Sequence, residues 1–318
     1  MTGLALTLRS HKYEMLVVGS LSALALAAAL FVVGRLSTAG IPIECFHDGG
    51  GACLGFQGLV QDYLSFAADK GFLALGGITL LPILSGLIVG ITLAGKEIDR
   101  GTIVFAWSMS PSRRRWLVAR VVPIGLAVVA LSLAGGVLAD RLEALRDPGV
   151  DPERTFEHLG LRGIVVGAEA LAAFGISLAA GAIFGRILPA LLIAGALTLG
   201  SVAVVNIAND TLLHNETVFV DGIDGGPTGP VRWRVVDYRV QDPKTGEFIT
   251  WEQAFQRYGQ DVDPENPEED WSQQLKTILV VNPGEIYPLA ADRMALLYAA
   301  LGLAGCVLTF AAVDRRRP

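Results

Sequence analysis

Six stretches of the chain are nearly free of charge and long enough to cross a bilayer: 15–37, 72–94, 116–138, 163–185, 187–207 and 293–313. A hydrocarbon core takes about 20 apolar residues as a helix. Inside it a backbone must satisfy its own hydrogen bonds, which long apolar runs do by coiling. The pattern predicts an all-α polytopic membrane protein with six transmembrane helices. The first stretch lies where a cleavable signal would sit. It is about twice the length of a signal's apolar core and no clean cleavage site follows, so it is expected to be retained as a span. Stretches four and five are parted by Arg186 and its neighbours, with Pro189 where a new helix can start, and a tight hairpin is expected. Pro82 and Pro123 fall inside spans two and three as candidate kinks.

The polar segments between the spans differ in sign. One side collects Arg9, Lys12, Lys96, Arg100, Arg113, Arg114, Arg115, Arg186 and Arg315 to Arg317. The other holds segments 38–71, 139–162 and 208–292, the last with sixteen acidic and six basic residues. Short basic flanks stay in the cytoplasm, which puts both termini there. Segment 208–292 is too long for a connector. Val231 to Tyr238 and Thr277 to Val281 are rich in strand formers, and Asp242-Pro243-Lys244-Thr245-Gly246 has the composition of a turn. Thr250-Trp251-Glu252-Gln253 forms a capping box that would open a short helix through Ala254, Phe255 and Tyr258. Asp261 to Asp270 is an acidic, proline-bearing loop. The expected result is a small α/β extracellular insert between helices 5 and 6. The chain then divides into 1–207 with spans one to five, 208–290 outside, and 291–318 with span six and a basic tail.

Composition sharpens this picture. Of 318 residues, 52% are hydrophobic and 18% charged, with a mean hydropathy of +0.50. A soluble domain carries about 25% charge, so an ordinary soluble enzyme is excluded. The net charge of −6 argues against a nucleic-acid partner. Three cysteines exclude a disulfide scaffold. Cys45 and Cys53 fall on the oxidising side with Gly49-Gly50-Gly51 between them, and a disulfide is expected. His47 and Asp48 leave a metal as rival, without four convincing ligands. Cys306 is a packing residue of span six. Glu169 lies within span four, where a carboxylate is costly. It is either a polar contact on a translocation path or a structural carboxylate hydrated or bonded to a neighbouring helix. Gly86-xxx-Gly90, Gly163-xxx-Gly167 and Gly181-xxx-Gly185 allow close helix contact, within the bundle before any dimer seam. The histidines are scattered and form no catalytic group. Gly90 to Lys96 matches part of a phosphate-binding loop. Glu97 stands where Ser or Thr should hold magnesium, and no strand precedes the first glycine. ATP is therefore not expected on this chain.

The most informative stretch joins spans two and three. It runs through Leu81-Pro82-Ile83-Leu84-Ser85-Gly86, Gly95-Lys96-Glu97-Ile98-Asp99-Arg100-Gly101-Thr102, Ala106-Trp107-Ser108-Met109-Ser110 and Arg113-Arg114-Arg115-Trp116-Leu117. With the lead-in Thr7 to Glu14 and the closing Asp314-Arg315-Arg316-Arg317, this resembles an ABC-2-type transporter permease subunit of the six-span actinobacterial type. The resemblance covers roughly 1–207 and 285–318, and the insert departs from it. It implies a coupling helix in the 95–115 loop that docks on a separate ATP-binding subunit, with Glu97, Gly101, Thr102, Trp107, Arg113, Arg114 and Arg115 as its residues. It also implies a second permease copy or related chain, contact with membrane lipid, and ATP and Mg on the partner ATPase, with no cofactor here. The setting would be a bacterial plasma membrane and the cargo an amphipathic or lipophilic molecule moved outward. The alternatives are a membrane sensor or scaffold that binds through its insert, and an intramembrane enzyme built on Glu169.

Overall fold

A computed structural model describes residues 12–47, 51–101, 112–221, 232–258 and 275–315. It divides the chain into two compact units. The first contains the helices α1 (Lys12–Ser37), α2 (Gln57–Asp99), α3 (Arg113–Arg146) and α4 (Gly163–Phe184), and most of α5 (Ile187–His214) and α7 (Tyr287–Arg315). All six are long and apolar enough to cross a membrane. The second, 149–157 with 208–290, contains strands β1 (Val218–Asp221), β2 (Arg234–Gln241), β3 (Phe248–Thr250) and β4 (Lys276–Asn282), and helix α6 (Trp251–Tyr258). The fold is the six-helix polytopic protein with a small sheet between the fifth and sixth spans that the hydropathy pattern predicts.

The helices run past their apolar stretches because caps, not hydropathy, end them. Gly101 sits at φ +68 after α2, and its N–H donates to the Ile98 carbonyl at 3.1 Å. Only glycine adopts that left-handed turn without strain. Ser112 opens α3 with its hydroxyl accepting from the Arg115 N–H at 3.1 Å. Gly185, at φ +63, closes α4 two residues before α5 begins, which is the expected hairpin. Segment 57–71, within the 38–71 segment expected outside, is helical and forms the first part of α2. It stays helical because it packs on the extension of α3. The Tyr63 hydroxyl donates to the Leu145 carbonyl at 2.5 Å, and Ala67 and Leu142 are buried in one cluster.

Close backbone approach dominates the packing. A Cβ on Gly86 would lie 2.7 Å from the Ala173 Cβ and from the Phe174 nitrogen. One on Gly90 would lie 2.7 Å from the Phe174 carbonyl oxygen, and one on Gly181 2.8 Å from that of Ile91. These contacts fuse α2 to α4. On the far side of α4, a Cβ on Gly175 would lie 2.1 Å from the Gly302 oxygen of α7. Gly86 and Gly90 thus pack within the bundle, while Gly163 and Gly185 are positive-φ residues at the two ends of α4. Around these seams Leu93, Leu117, Ile124, Phe174 and Val313 form one core cluster, and Val32, Leu36, Ile78 and Leu142 belong to another.

In the second unit the sheet is antiparallel, ordered β1-β4-β2-β3. Val218 pairs with Val281, Tyr238 with Leu279 and Val240 with Ile249. The capping box forms reciprocally: the Gln253 N–H donates to the Thr250 hydroxyl at 3.2 Å, and the Thr250 N–H to the Gln253 side chain at 3.0 Å. Beneath α6, Val240, Ile249, Ala254 and Leu275 make a small core. Asp242 anchors the β2–β3 turn. Its carboxylate accepts from the Tyr258 hydroxyl at 2.7 Å, the Arg257 guanidinium at 2.7 Å and the Lys244 N–H at 2.8 Å. Residues 149–157 add to this unit, with the Arg232 N–H donating to the Arg154 carbonyl at 3.1 Å and Phe156 edge-on to Tyr287.

The donors on Asp242, the Tyr258 hydroxyl first, hold its carboxyl below the usual carboxylate range. A carboxyl whose folded pKa is depressed adds stability above its unfolded pKa of about 4, and that stability is lost as pH falls further. Acidification should therefore loosen the β2–α6 corner. The Asp242→Asn chain should be loosened already at neutral pH and show a flatter acid response. The difference in fluorescence between each protein and its Trp251→Phe counterpart reads this locally.

Candidate functional site: the ionic end of the helix bundle

The α2–α3 connection begins and ends at one end of the bundle, with Gly101 closing α2 and Ser112 opening α3. The start of α1 and the end of α7 reach the same place. Lys96 of α2 donates to the Glu14 carboxylate of α1 at 2.5 Å. Arg120 of α3 pairs with Glu97 of α2, and its guanidinium stacks over the Trp116 ring with 4.4 Å to the centroid. Arg114 of α3 donates through Nε at 2.8 Å and Nη2 at 2.6 Å to Asp314 of α7. Four helix ends are thereby joined by ion pairs around the connection.

The pairs differ in strength. The Glu97 and Arg120 side chains are only 15% and 10% exposed. Removing one partner of so enclosed a pair strands a charge and costs about 3–5 kcal/mol. Arg114 is 74% exposed, and an exposed pair of this kind adds little to stability. One tie is therefore structural, while the other leaves its guanidinium open to a second partner.

The residues singled out for coupling divide accordingly. Glu97 turns inward to Arg120, and Gly101 is the cap of α2. Arg113 is half-buried, and Arg114 and Arg115 are exposed. Thr102 and Trp107 lie outside the described residues. Ser112 and Arg120 also belong to the constellation and are not singled out by the sequence, while Glu14, Trp116 and Asp314 figure there only within the stretches that carry the resemblance. Arg120 carried a usable signal, since a guanidinium one turn beyond Trp116 inside an apolar stretch requires a partner. The partial phosphate-loop match, Gly90 to Lys96, is continuous α2 helix, and its lysine is engaged by Glu14.

The other marked residues lie elsewhere. Glu169 is 5% exposed on α4, with Tyr298 of α7 within coulombic range, and no hydrogen bond reaches its carboxylate among the described residues. Cys45 and Cys53 are joined, with S–S 2.00 Å and Cα–Cα 5.4 Å. His47 and Asp48 offer no described side chain. At the end of α3 away from the ionic cluster, His158 is not isolated. Its Nδ1 lies 3.1 Å from a Glu143 oxygen and its Nε2 3.3 Å from the Arg146 guanidinium. Sequence spacing could not show this, because the pairing is made by the return of the chain after α3.

Six apolar helices, several of them joined by glycine seams and four tied by charge around one connection, define a multi-pass membrane protein. The chain matches the family described as ABC-2 membrane transporter related over residues 20–213, more than half its length, and it belongs to that family. It is a membrane transporter permease component. No curated protein and no solved structure matches it.

The Glu97–Arg120 pair makes a direct prediction. Arg120→Met alone should lower thermal stability in detergent by about 3 kcal/mol or more, because it leaves Glu97 enclosed without its cation. The double variant Glu97→Gln with Arg120→Met should recover much of that loss. Equal melting of the single and double variants would show the two side chains to be uncoupled.

Proposed function

We propose that this chain is the membrane-embedded subunit of an ATP-driven exporter. A separate ATP-binding subunit, carrying the ATP and Mg, docks at the ionic end through the 95–115 connection. Two copies, or this chain with a related permease, enclose the path. The cargo is an amphipathic or lipophilic molecule moved out of the cytoplasm across a bacterial plasma membrane, with both termini on the cytoplasmic side.

The observation that carries this reading is the joining of four helix ends around one short connection. Such a connection is a good lever. A push on it is delivered through Lys96–Glu14 to α1, through Glu97–Arg120 along α2 and α3, and through Arg114–Asp314 to α7. Arginines are favoured interface anchors, and Arg114 and Arg115 present theirs to solvent. The basic cluster also agrees with a cytoplasmic placement. Glu169, buried on α4, is then the candidate polar contact on the path.

Two measurements test the reading. Co-expression with a cognate ATP-binding subunit should yield a complex whose ATPase rate depends on the permease. Reversing Arg114 and Arg115 to Glu should lower that dependence about tenfold or more, since like charges facing each other at an interface cost several kcal/mol, while thermal stability changes little. Failure to form a complex, or full ATPase coupling in the reversed variant, removes the docking assignment. Glu169→Gln should alter cargo efflux or its pH dependence in proteoliposomes. An unchanged rate and an unchanged pH profile would return Glu169 to a purely structural role.

A further inference from the structure

At the end of the bundle away from the ionic cluster, α1 and α2 enclose a pocket of about 330 Å³. Leu59 and Phe66 give it apolar surface, and four polar side chains line it as well. Two of these are already engaged. The Tyr63 hydroxyl donates to the Leu145 carbonyl, and the Thr38 hydroxyl to the Gly34 carbonyl at 3.0 Å. The other two are Arg35 of α1 and Asp62 of α2. Both are exposed, and neither side chain has an ion pair or hydrogen bond among the described residues, with the other or with a third group. A guanidinium and a carboxylate thus line one pocket from two helices without neutralising each other.

Their levels differ. Arg35 lies twenty-one residues along α1 from Glu14, whose pair with Lys96 marks the charged end of the bundle. At 1.5 Å per residue that is about 32 Å, one hydrocarbon thickness. The guanidinium therefore stands at the opposite lipid–water boundary. One turn before it, Phe31 is exposed within the apolar run. Asp62 belongs to the part of α2 that precedes its own apolar run and so stands beyond the boundary. From the membrane outward the wall is apolar, then cationic, then anionic.

We propose that this pocket binds a phospholipid with a primary-amine zwitterionic headgroup, a phosphatidylethanolamine, from the leaflet opposite the ionic end. Its acyl chains lie along Phe31, its phosphate accepts from Arg35, and its ammonium donates to Asp62. The parts of this lipid follow one another in the order of the three zones of the wall. A guanidinium suits phosphate, and a hydrogen bond between charged groups is stronger than a neutral one. An anionic lipid without an amine would set its headgroup against the Asp62 carboxylate. A choline headgroup has no N–H to donate to it. A soluble zwitterion would leave the apolar zone unfilled. The site goes beyond the exporter reading and does not rest on it, because it depends only on where the spans end.

The test takes the full-length chain in detergent and titrates it with the dioleoyl ethanolamine, choline or glycerol phospholipid, counting one-to-one adducts by native mass spectrometry. The ethanolamine lipid should bind about tenfold more tightly than the other two, as one hydrogen bond to a charged group provides. Arg35→Gln should weaken it about tenfold. Asp62→Asn should bring the ethanolamine and glycerol lipids to equal affinity, because the guanidinium alone then remains. Arg186→Gln, at an exposed arginine between α4 and α5, should change neither affinity. The inference is overturned if the three lipids bind alike, or if the ethanolamine lipid binds the Arg35→Gln chain undiminished. It is equally overturned if the preference survives Asp62→Asn or is lost in Arg186→Gln. Binding of glycerophosphoethanolamine, which lacks acyl chains, as tightly as the lipid would overturn the assignment to a membrane lipid.

Discussion

The close contact of α2 with α4 is the constraint on which the membrane unit depends. In a bilayer the lipid tails are as apolar as leucine, so burial of apolar surface gives helices little reason to associate. Association must come from dispersion and from backbones near enough to touch. Gly86, Gly90 and Gly181 provide that nearness, each leaving no room for a Cβ against a backbone or Cβ atom of the opposite helix. Gly175 repeats the device toward α7, so α4 is held on two sides. Its buried alanines, Ala170, Ala173 and Ala180 among them, follow from the same crowding.

With α4 at the centre, the charged end acts as a clasp. Its pairs gain strength from their setting, because the Glu97 and Arg120 side chains are largely withdrawn from solvent and the guanidinium is covered on one face by Trp116. Desolvation makes such a pair costly to break from one side. Arg114 lies at the exposed margin, where the same chemistry is weak. This gradient, from enclosed to exposed, separates residues that shape the connection from residues free to meet a partner. Glu97 falls in the first group and the arginines at 114 and 115 in the second.

The second unit obeys a different solvent. Four short strands and one two-turn helix bury few residues, and much of their order comes from polar closure of the β2–β3 turn by Asp242. A carboxylate with several donors is favoured in its charged form, and this links the corner to pH.

Hydropathy and caps made much legible in advance. Six apolar runs, a capping box at Thr250 and a turn at Asp242 are local signals, each arising within a few residues of chain, and each reappears in the structure. The strands of β1 and β3 were not legible, since four and three residues carry no period and owe their conformation to partners far along the chain. α2 begins at Gln57, well before its apolar run, because hydropathy reports the lipid boundary, whereas a helix continues as long as its side chains find packing. The pairing of Arg120 with Glu97 and the meeting of His158 with Glu143 depend on which helix faces lie together. Composition and spacing alone determined that this chain crosses a membrane six times. Only the tertiary structure decided which charges and hydroxyls meet, because those distances are set by glycine contacts between helices that the linear chain does not place side by side.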